Sequence, residues 1–253
     1  MQQIMTLRAD VLQQLEQMAR RAMIHSYGSR TLRQALACVK SSSDMKRVER
    51  LKREVDPIYR RDRFSAAKYA DFQPWVLRNL HRAAQLGLHN SPALRILDIG
   101  AGPGYFVAVA RALGHDCRGI DVPESYFSPL ELRVYSEMLE ALGCRKYVSP
   151  FAIQRFEPLS LLNQRYDLIT AFLICFNQHD KPDQWGVSEW RFFVENALEH
   201  LSEGGRLFLG INENRKRYGK LTFYDEPLLA YFQSVGTVDG ARVTIWKNSN
   251  SER

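Results

Sequence analysis

Apolar residues recur at three- and four-residue steps through Ile4, Leu7, Val11, Leu15, Met18 and Ala22, with Arg and Gln on the opposite side. That spacing predicts an amphipathic helix. Further along, Ser41-Ser42-Ser43-Asp44 ends a second helix and offers a cap to a third, and Asp56-Pro57 is expected to stop the third in turn. A last helix over 74–86 closes at Gly87, a residue suited to the left-handed C-terminal position. The first ninety residues read as helices and connectors, without a repeat or a low-complexity tract.

From residue 94 the period changes. Short apolar runs at 94–99, 116–120, 147–153, 167–176 and 206–211 read as strands. Helical patterns at 105–113, 129–142 and 190–201 separate them, the first two closed by Gly114 and Gly143, and Gly204-Gly205 reads as a turn. The run 167–176 is almost continuously apolar, as expected of a strand buried on both faces. Such alternation implies a parallel sheet covered by helices, an α/β architecture. The end differs: a helix through 228–232 precedes short strands around Asp239-Gly240, a dipeptide favoured in tight hairpins, so an antiparallel edge is expected.

Length and composition narrow the class. A chain of 253 residues accommodates one large α/β domain with an appendage, and 45% hydrophobic with 25% charged residues argues against bulk disorder. The longest near-apolar stretch, 168–176, includes Thr170 and is half of what a membrane-spanning helix needs. The first residues carry no apolar core followed by a small-residue cleavage site, so no secretory signal is expected. Cys38, Cys117, Cys144 and Cys175 show neither CxxC nor paired His/Cys spacing. They read as reduced, mostly buried thiols of a cytoplasmic protein, with no metal site.

The formal charge of +7 is uneven. Residues 1–95 hold 18 Lys+Arg against 8 Asp+Glu, and the remainder 17 against 20. The surplus concentrates in Lys46-Arg47, Arg50, Lys52-Arg53 and Arg60-Arg61-Asp62-Arg63. Two readings follow: a surface for an anionic partner, or a solvated helix face in which Glu49, Glu54, Asp56 and Asp62 interrupt the cations. No RNA-binding module accompanies the basic run, so an RNA partner is possible and not favoured.

The chemistry concentrates in Ile96-Leu97-Asp98-Ile99-Gly100-Ala101-Gly102-Pro103-Gly104-Tyr105-Phe106. A strand ends in a carboxylate, three alternate glycines follow, and a helix begins. Glycines permit tight turning and close approach of a ligand to the main chain, and the amides at a helix start receive a polar or anionic group. A dinucleotide fingerprint would read GxGxxG without a preceding acid. Here the spacing is GxGxG after Asp98, and the next strand ends at Asp121.

These residues resemble motif I and the following acidic position of the class I S-adenosylmethionine-dependent methyltransferases. Arg165–Phe172 resembles that family's fourth strand and Leu201–Leu207 its turn into the fifth, so the likeness covers roughly residues 70–246. The resemblance implies a Rossmann-like, seven-stranded, mostly parallel sheet with an antiparallel C-terminal strand. A helical N-terminal extension over 1–68 precedes the methyltransferase domain over 69–253. It implies S-adenosyl-L-methionine as cofactor, with Asp98, Gly100, Gly102 and Gly104 around the methionine moiety and Asp121 accepting from the two ribose hydroxyls. Ala101, Phe106, Val122 and Phe172 join the cofactor-binding set. Phe156, after the third strand, either stacks on the adenine or packs in the core.

In this family the acceptor site follows strand four, here Cys175-Phe176-Asn177-Gln178-His179-Asp180-Lys181-Pro182-Asp183-Gln184-Trp185. It lacks the Asn/Asp-Pro-Pro-Tyr/Phe signature of enzymes that methylate amino groups of nucleobases. His179 is the candidate base, its ordinary pKa lying near neutrality, and Asn177 the candidate for orienting a hydroxyl. Trp185 and Trp190 either stack on a sugar ring or pack in the core. The segment 172–190 resembles, more loosely, bacterial methyltransferases of surface-polysaccharide and nodulation-sugar type. That points to O-methylation of a saccharide or glycan-precursor hydroxyl. The alternatives are another small molecule or RNA as acceptor, or a non-catalytic partner subunit that keeps the fold. The stripe from Ile4 to Ala22 suggests a homodimer through the N-terminal helices or a cap over the substrate pocket.

Overall fold

A computed structural model of the chain describes residues 30–63, 65–159, 164–173, 176, 184–212 and 224–247. The amphipathic stripe expected from Ile4 to Ala22 lies outside these residues. Two compact units interleave along the chain, one formed within Met1–Ala93, Gly102–His115 and Phe127–Tyr147, the other within Leu94–Ala101, Asp116–Tyr126 and Val148–Arg253.

The first unit is helical. Its elements are α1 (Arg30–Ser42), α2 (Met45–Arg61), a 3-10 turn over Ala66–Ala70, α3 (Phe72–Gln85), α4 (Tyr105–Ala112) and α5 (Pro129–Ala141). Leu32, Ala35 and Val39 form the buried stripe of α1, and Val48, Leu51 and Val55 that of α2. The first packs against α3 and α4, the second against α5 and the 3-10 turn. The Asp44 carboxylate caps α2 by accepting from the Arg47 amide at 3.0 Å, as the sequence suggested, while its own amide donates to the Ala141 carbonyl at 2.8 Å.

The expected stop at Asp56-Pro57 does not occur: α2 carries Pro57 inside and continues to Arg61. Proline removes one hydrogen bond to the carbonyl four residues earlier, here that of the exposed Arg53. The residues beyond close their own turn, with the Asp62 amide on the Ile58 carbonyl at 2.9 Å and an Asp56–Arg60 ion pair at 2.7 Å.

Part of the basic run is paired with acids of the same unit. Arg47 and Arg50 each reach Glu137 of α5 at 3.1 Å, Lys52 reaches Asp71 at 2.7 Å, and Glu54 pairs with Arg133. The solvated-face reading fits this arrangement better than a bare cationic surface. Of the described cysteines, Cys117 and Cys144 are buried, but Cys38 is exposed on α1. Burial pushes the Cys144 thiol up to about 12, against the opposing pull of Arg111, so it stays protonated at neutral pH.

The second unit is built on β1 (Arg95–Ile99), β2 (Asp116–Asp121), β3 (Val148–Pro150), β4 (Tyr166–Phe172), β5 (Leu201–Gly210), β6 (Thr237–Asp239) and β7 (Arg242–Trp246). Among the described residues these form one seven-stranded sheet in the order β3-β2-β1-β4-β5-β7-β6. All pairs are parallel up to β5, and β7 runs antiparallel to both β5 and β6. The expected mostly parallel sheet with an antiparallel C-terminal edge is therefore present, with its hairpin at Asp239-Gly240.

Three expected boundaries shift. The third strand is shorter than 147–153, spanning Val148–Pro150. The fourth ends at Phe172 instead of running to 176, since Leu173 adopts a left-handed backbone with φ 57°. Gly204-Gly205 is not a separating turn but lies within β5, where the register against β4 jumps from Tyr166↔Leu201 to Leu168↔Arg206.

One face of the sheet packs against α6 (Val187–Glu199) and α7 (Glu226–Val235). Leu97, Ile99, Ile169, Ala171, Leu207 and Leu209 share a core there with Trp190, Phe193 and Phe232. Both tryptophans of the sugar-stacking alternative belong to this core. Trp190 is fully buried, and Trp185, 8% exposed, is stacked at 3.7 Å on Phe176.

At the opposite end of the strands, Asp167 joins β4 to β1. It accepts from the Arg95 amide at 2.8 Å, while the Arg95 guanidinium reaches Asp167 at 3.4 Å and the Ser202 hydroxyl at 3.0 Å. Burial pushes the Asp167 carboxyl up, but the bonds from Arg95 and Ser202 outweigh it and hold the group below its ordinary 3.8. A depressed carboxylate stabilises the fold above its ordinary pKa, and that contribution is lost as pH falls through the native value. Asp167→Asn is therefore expected to lower the urea midpoint at pH 7, with the deficit shrinking below about pH 4.

Candidate functional site

In the sheet unit the strand order reverses between β1 and β4, because the chain passes from β1 through β2 to β3 and then returns to the far side of β1. The carboxyl ends of strands at such a point are where open α/β sheets bind ligands. Asp98 lies near the carboxyl end of β1, 3% exposed. Gly100 and Ala101 follow it, and both their amides donate to the Ile120 carbonyl, at 2.9 and 3.1 Å. These bonds fasten the start of the glycine turn to the end of β2, beside Asp121.

Register fixes which side chains share a face. Asp98 pairs with Gly119 of β2, and Asp121 lies two positions beyond Gly119, so alternation puts both carboxylates on one face, opposite the α6–α7 core. Asp121 is half-buried at the strand end, with one oxygen accepting from the Val122 amide at 2.8 Å. On the other side Asp98 pairs with Thr170 of β4, whose hydroxyl donates to the Asp98 carboxylate at 2.8 Å.

Phe172 closes β4 and packs at 5.5 Å from Phe208. Phe156 belongs to the same unit. It lies beyond β3 with φ 58°, 53% exposed, edge-on to Phe192 of α6 at 5.9 Å. Arg155 beside it donates to the Gln184 carbonyl at 3.2 Å and lies 3.8 Å from Glu189. Phe151 directly follows β3, and its amide donates to the Asp121 carbonyl at 2.6 Å.

The remaining motif residues belong to the helical unit. Gly104 has φ 81° and stands at the N-terminus of α4; a Cβ there would meet Leu139 Cδ2 at 2.7 Å and Cys144 Cβ at 3.2 Å. Phe106 is buried within α4, and Gly102 has φ 52°. The Tyr105 hydroxyl, at the first residue of α4, donates to the Tyr69 carbonyl at 2.8 Å. His179 and Asn177 lie outside the described residues, as do Cys175, Asp180 and Asp183.

Two residues of this neighbourhood escaped the sequence reading. Phe151 carried no signal beyond its place directly after a strand. Thr170 did carry one: it is a single polar residue in an apolar run, and a buried carboxylate stands opposite it. As hydrogen-bond acceptors, two carboxylates on one face beside a glycine turn suit a ligand with a cationic end and a vicinal diol, and S-adenosylmethionine has both.

A methyltransferase-domain family model matches residues 59–222. No curated protein matches the chain. Among solved structures, the chain is similar to an O-methyltransferase family protein from Burkholderia thailandensis, at 14% identity and TM-score 0.44, over 81% of this chain and 71% of that one. It is similar to N-methyltransferase NodS from Bradyrhizobium japonicum WM9, at 16% identity and TM-score 0.44, over 71% of this chain and 99% of the other. For the glycopeptide N-methyltransferase MtfA the values are 15% identity and TM-score 0.39, over 55% of this chain, which spans only 54% of that protein's length. No helix among the described residues is long and apolar enough to cross a membrane. The family match extends over well more than half of the residues, and the chain belongs to the methyltransferase-domain family.

Proposed function

We propose that the chain is an S-adenosylmethionine-dependent methyltransferase acting on a hydroxyl of a saccharide or glycan precursor. The observation that carries the cofactor reading is the pair Asp98 and Asp121, on one face of the sheet at the strand ends that flank the glycine turn. Bound S-adenosylmethionine supplies an electrophilic methyl group on a sulfonium. The chain has to bind and orient it and to keep the acceptor in line, so most of the acceleration comes from proximity. Asp121 accepts from the ribose hydroxyls, Asp98 faces the methionine ammonium, and Gly100, Ala101, Gly102 and Gly104 let the methionine moiety approach the main chain. Val122 and Phe172 line the same strand ends, while Phe106 supports the turn from within α4. Phe156 remains a candidate for the adenine.

The saccharide acceptor rests on the resemblance of segment 172–190. His179 takes the proton of the acceptor hydroxyl and Asn177 orients that hydroxyl, since alcohols scarcely ionise at neutral pH. Residues 69–253 form the methyltransferase domain, preceded by the helical extension, and the protein works in the cytoplasm. Two tests bear on this reading. Incubation with radiolabelled S-adenosylmethionine should label a glycan fraction; label in RNA or protein alone would overturn the acceptor. His179→Ala should lower kcat by about 10²-fold or more and remove the acidic limb of the pH–rate profile, and an unchanged profile would end its role as base.

A further inference from the structure

We infer that Thr170 is a positioning residue for the amino-acid end of the cofactor, acting through Asp98. The inference rests on the reading of Asp98 as the carboxylate that faces the methionine ammonium.

Asp98 has two lateral neighbours in the sheet, Gly119 on β2 and Thr170 on β4. Gly119 presents no side chain, whereas Thr170 makes a lateral contact. The Thr170 hydroxyl donates to Asp98 Oδ1 at 2.8 Å and stands 3.4 Å from the Leu97 carbonyl. Thr170 is fully buried and Asp98 is 3% exposed. On this face Ile96 stands opposite Leu168 and Thr170 opposite Phe208 of β5, apolar neighbours on either side. A hydroxyl in such a ladder has a desolvation cost that is offset only by a bond to a good acceptor.

Threonine is also the side chain suited to hold that geometry. Branching at Cβ restricts χ1, so the hydroxyl is held toward β1 instead of rotating away. One carboxylate oxygen is thereby occupied from the β4 side, which fixes the plane of the carboxylate in the sheet. Charge-assisted hydrogen bonds are short and directional, so the ammonium of a bound ligand is recognised well only if that plane is set beforehand.

S-adenosylhomocysteine and 5′-methylthioadenosine are the two probes. Both are neutral thioethers bearing adenosine, and only the first carries the amino-acid group. By calorimetry, Thr170→Val should weaken S-adenosylhomocysteine roughly tenfold while leaving methylthioadenosine unchanged, and Thr170→Ser, which keeps the hydroxyl, should restore affinity to within about twofold. If Thr170→Val does not fold, Thr170→Ala serves with the same two outcomes. Equal weakening of both probes, or of neither, would overturn the inference, since a merely structural threonine does not discriminate between them. Asp98→Asn separates this from the underlying reading. If it leaves S-adenosylhomocysteine binding intact, the assignment of Asp98 fails; if it weakens binding while Thr170→Val does not, only the role of Thr170 fails. In the Asp98→Asn background, Thr170→Val should add less than it does alone.

Discussion

Asp121→Ala is expected to weaken S-adenosylmethionine binding by about a hundredfold or more while leaving the urea midpoint nearly unchanged. Each hydrogen bond from a ribose hydroxyl to a carboxylate contributes about 1.5–3 kcal/mol, and two of them are lost together, against 1.4 kcal/mol per tenfold in affinity. The fold is spared because Asp121 is only half-buried at a strand end, and the Gly100 and Ala101 amides hold β2 through the Ile120 carbonyl, a main-chain atom that the substitution leaves in place. Asp121→Asn should fall between the two, since an amide keeps one acceptor and loses the charge. Calorimetric titration with S-adenosylhomocysteine reads the effect without turnover. An unchanged dissociation constant for Asp121→Ala would remove Asp121 from the cofactor site.

The second large effect is on stability. Gly104→Ala introduces two separate costs. At φ 81° an L side chain costs about 1–2 kcal/mol, and the new Cβ meets Leu139 Cδ2 at 2.7 Å and Cys144 Cβ at 3.2 Å, an overpacking of about 1–3 kcal/mol. The sum, about 2–5 kcal/mol, is a large share of the roughly 5–15 kcal/mol that holds a domain together. Gly87 provides the control within the same unit. It has φ 72° but nothing within 4 Å of a built Cβ, so Gly87→Ala incurs the conformational cost alone. Urea denaturation of both variants should therefore separate strain from collision. Equal losses would show that Leu139 moves aside freely.

The alternation of strand and helix, the antiparallel end and the carboxylate–glycine–carboxylate pattern were legible because each is local. Periodicity reports burial of an element whatever its partner, and turn glycines announce themselves by spacing. What escaped depended on pairing between distant segments. The persistence of α2 past Pro57 is decided by the ion pair and the turn beyond it, neither visible in the dipeptide. Thr170 is 72 positions from Asp98 in the chain, and only the pairing of β4 with β1 brings the two together. The third strand reads as longer than it is, since the apolar run continues beyond Pro150 where β3 stops. The tryptophans could equally be core or platform from sequence, and the ring that stacks on Trp185 is contributed by Phe176, nine positions earlier.

The pairing of α2 with α5 alters what the charge of a segment means. Glu137 serves both Arg47 and Arg50, and Arg133 reaches back to Glu54, so the electrical character of this face is a joint property of two helices about eighty residues apart in the chain. A tally along residues 45–61 sees an excess of cations, whereas an approaching ion meets a partly compensated surface whose field fades within a Debye length of about 10 Å at 0.1 M salt. Drift in the acids of α5 would change that surface without touching a single basic residue. The polyanion affinity of a related chain is therefore to be judged from both helices together.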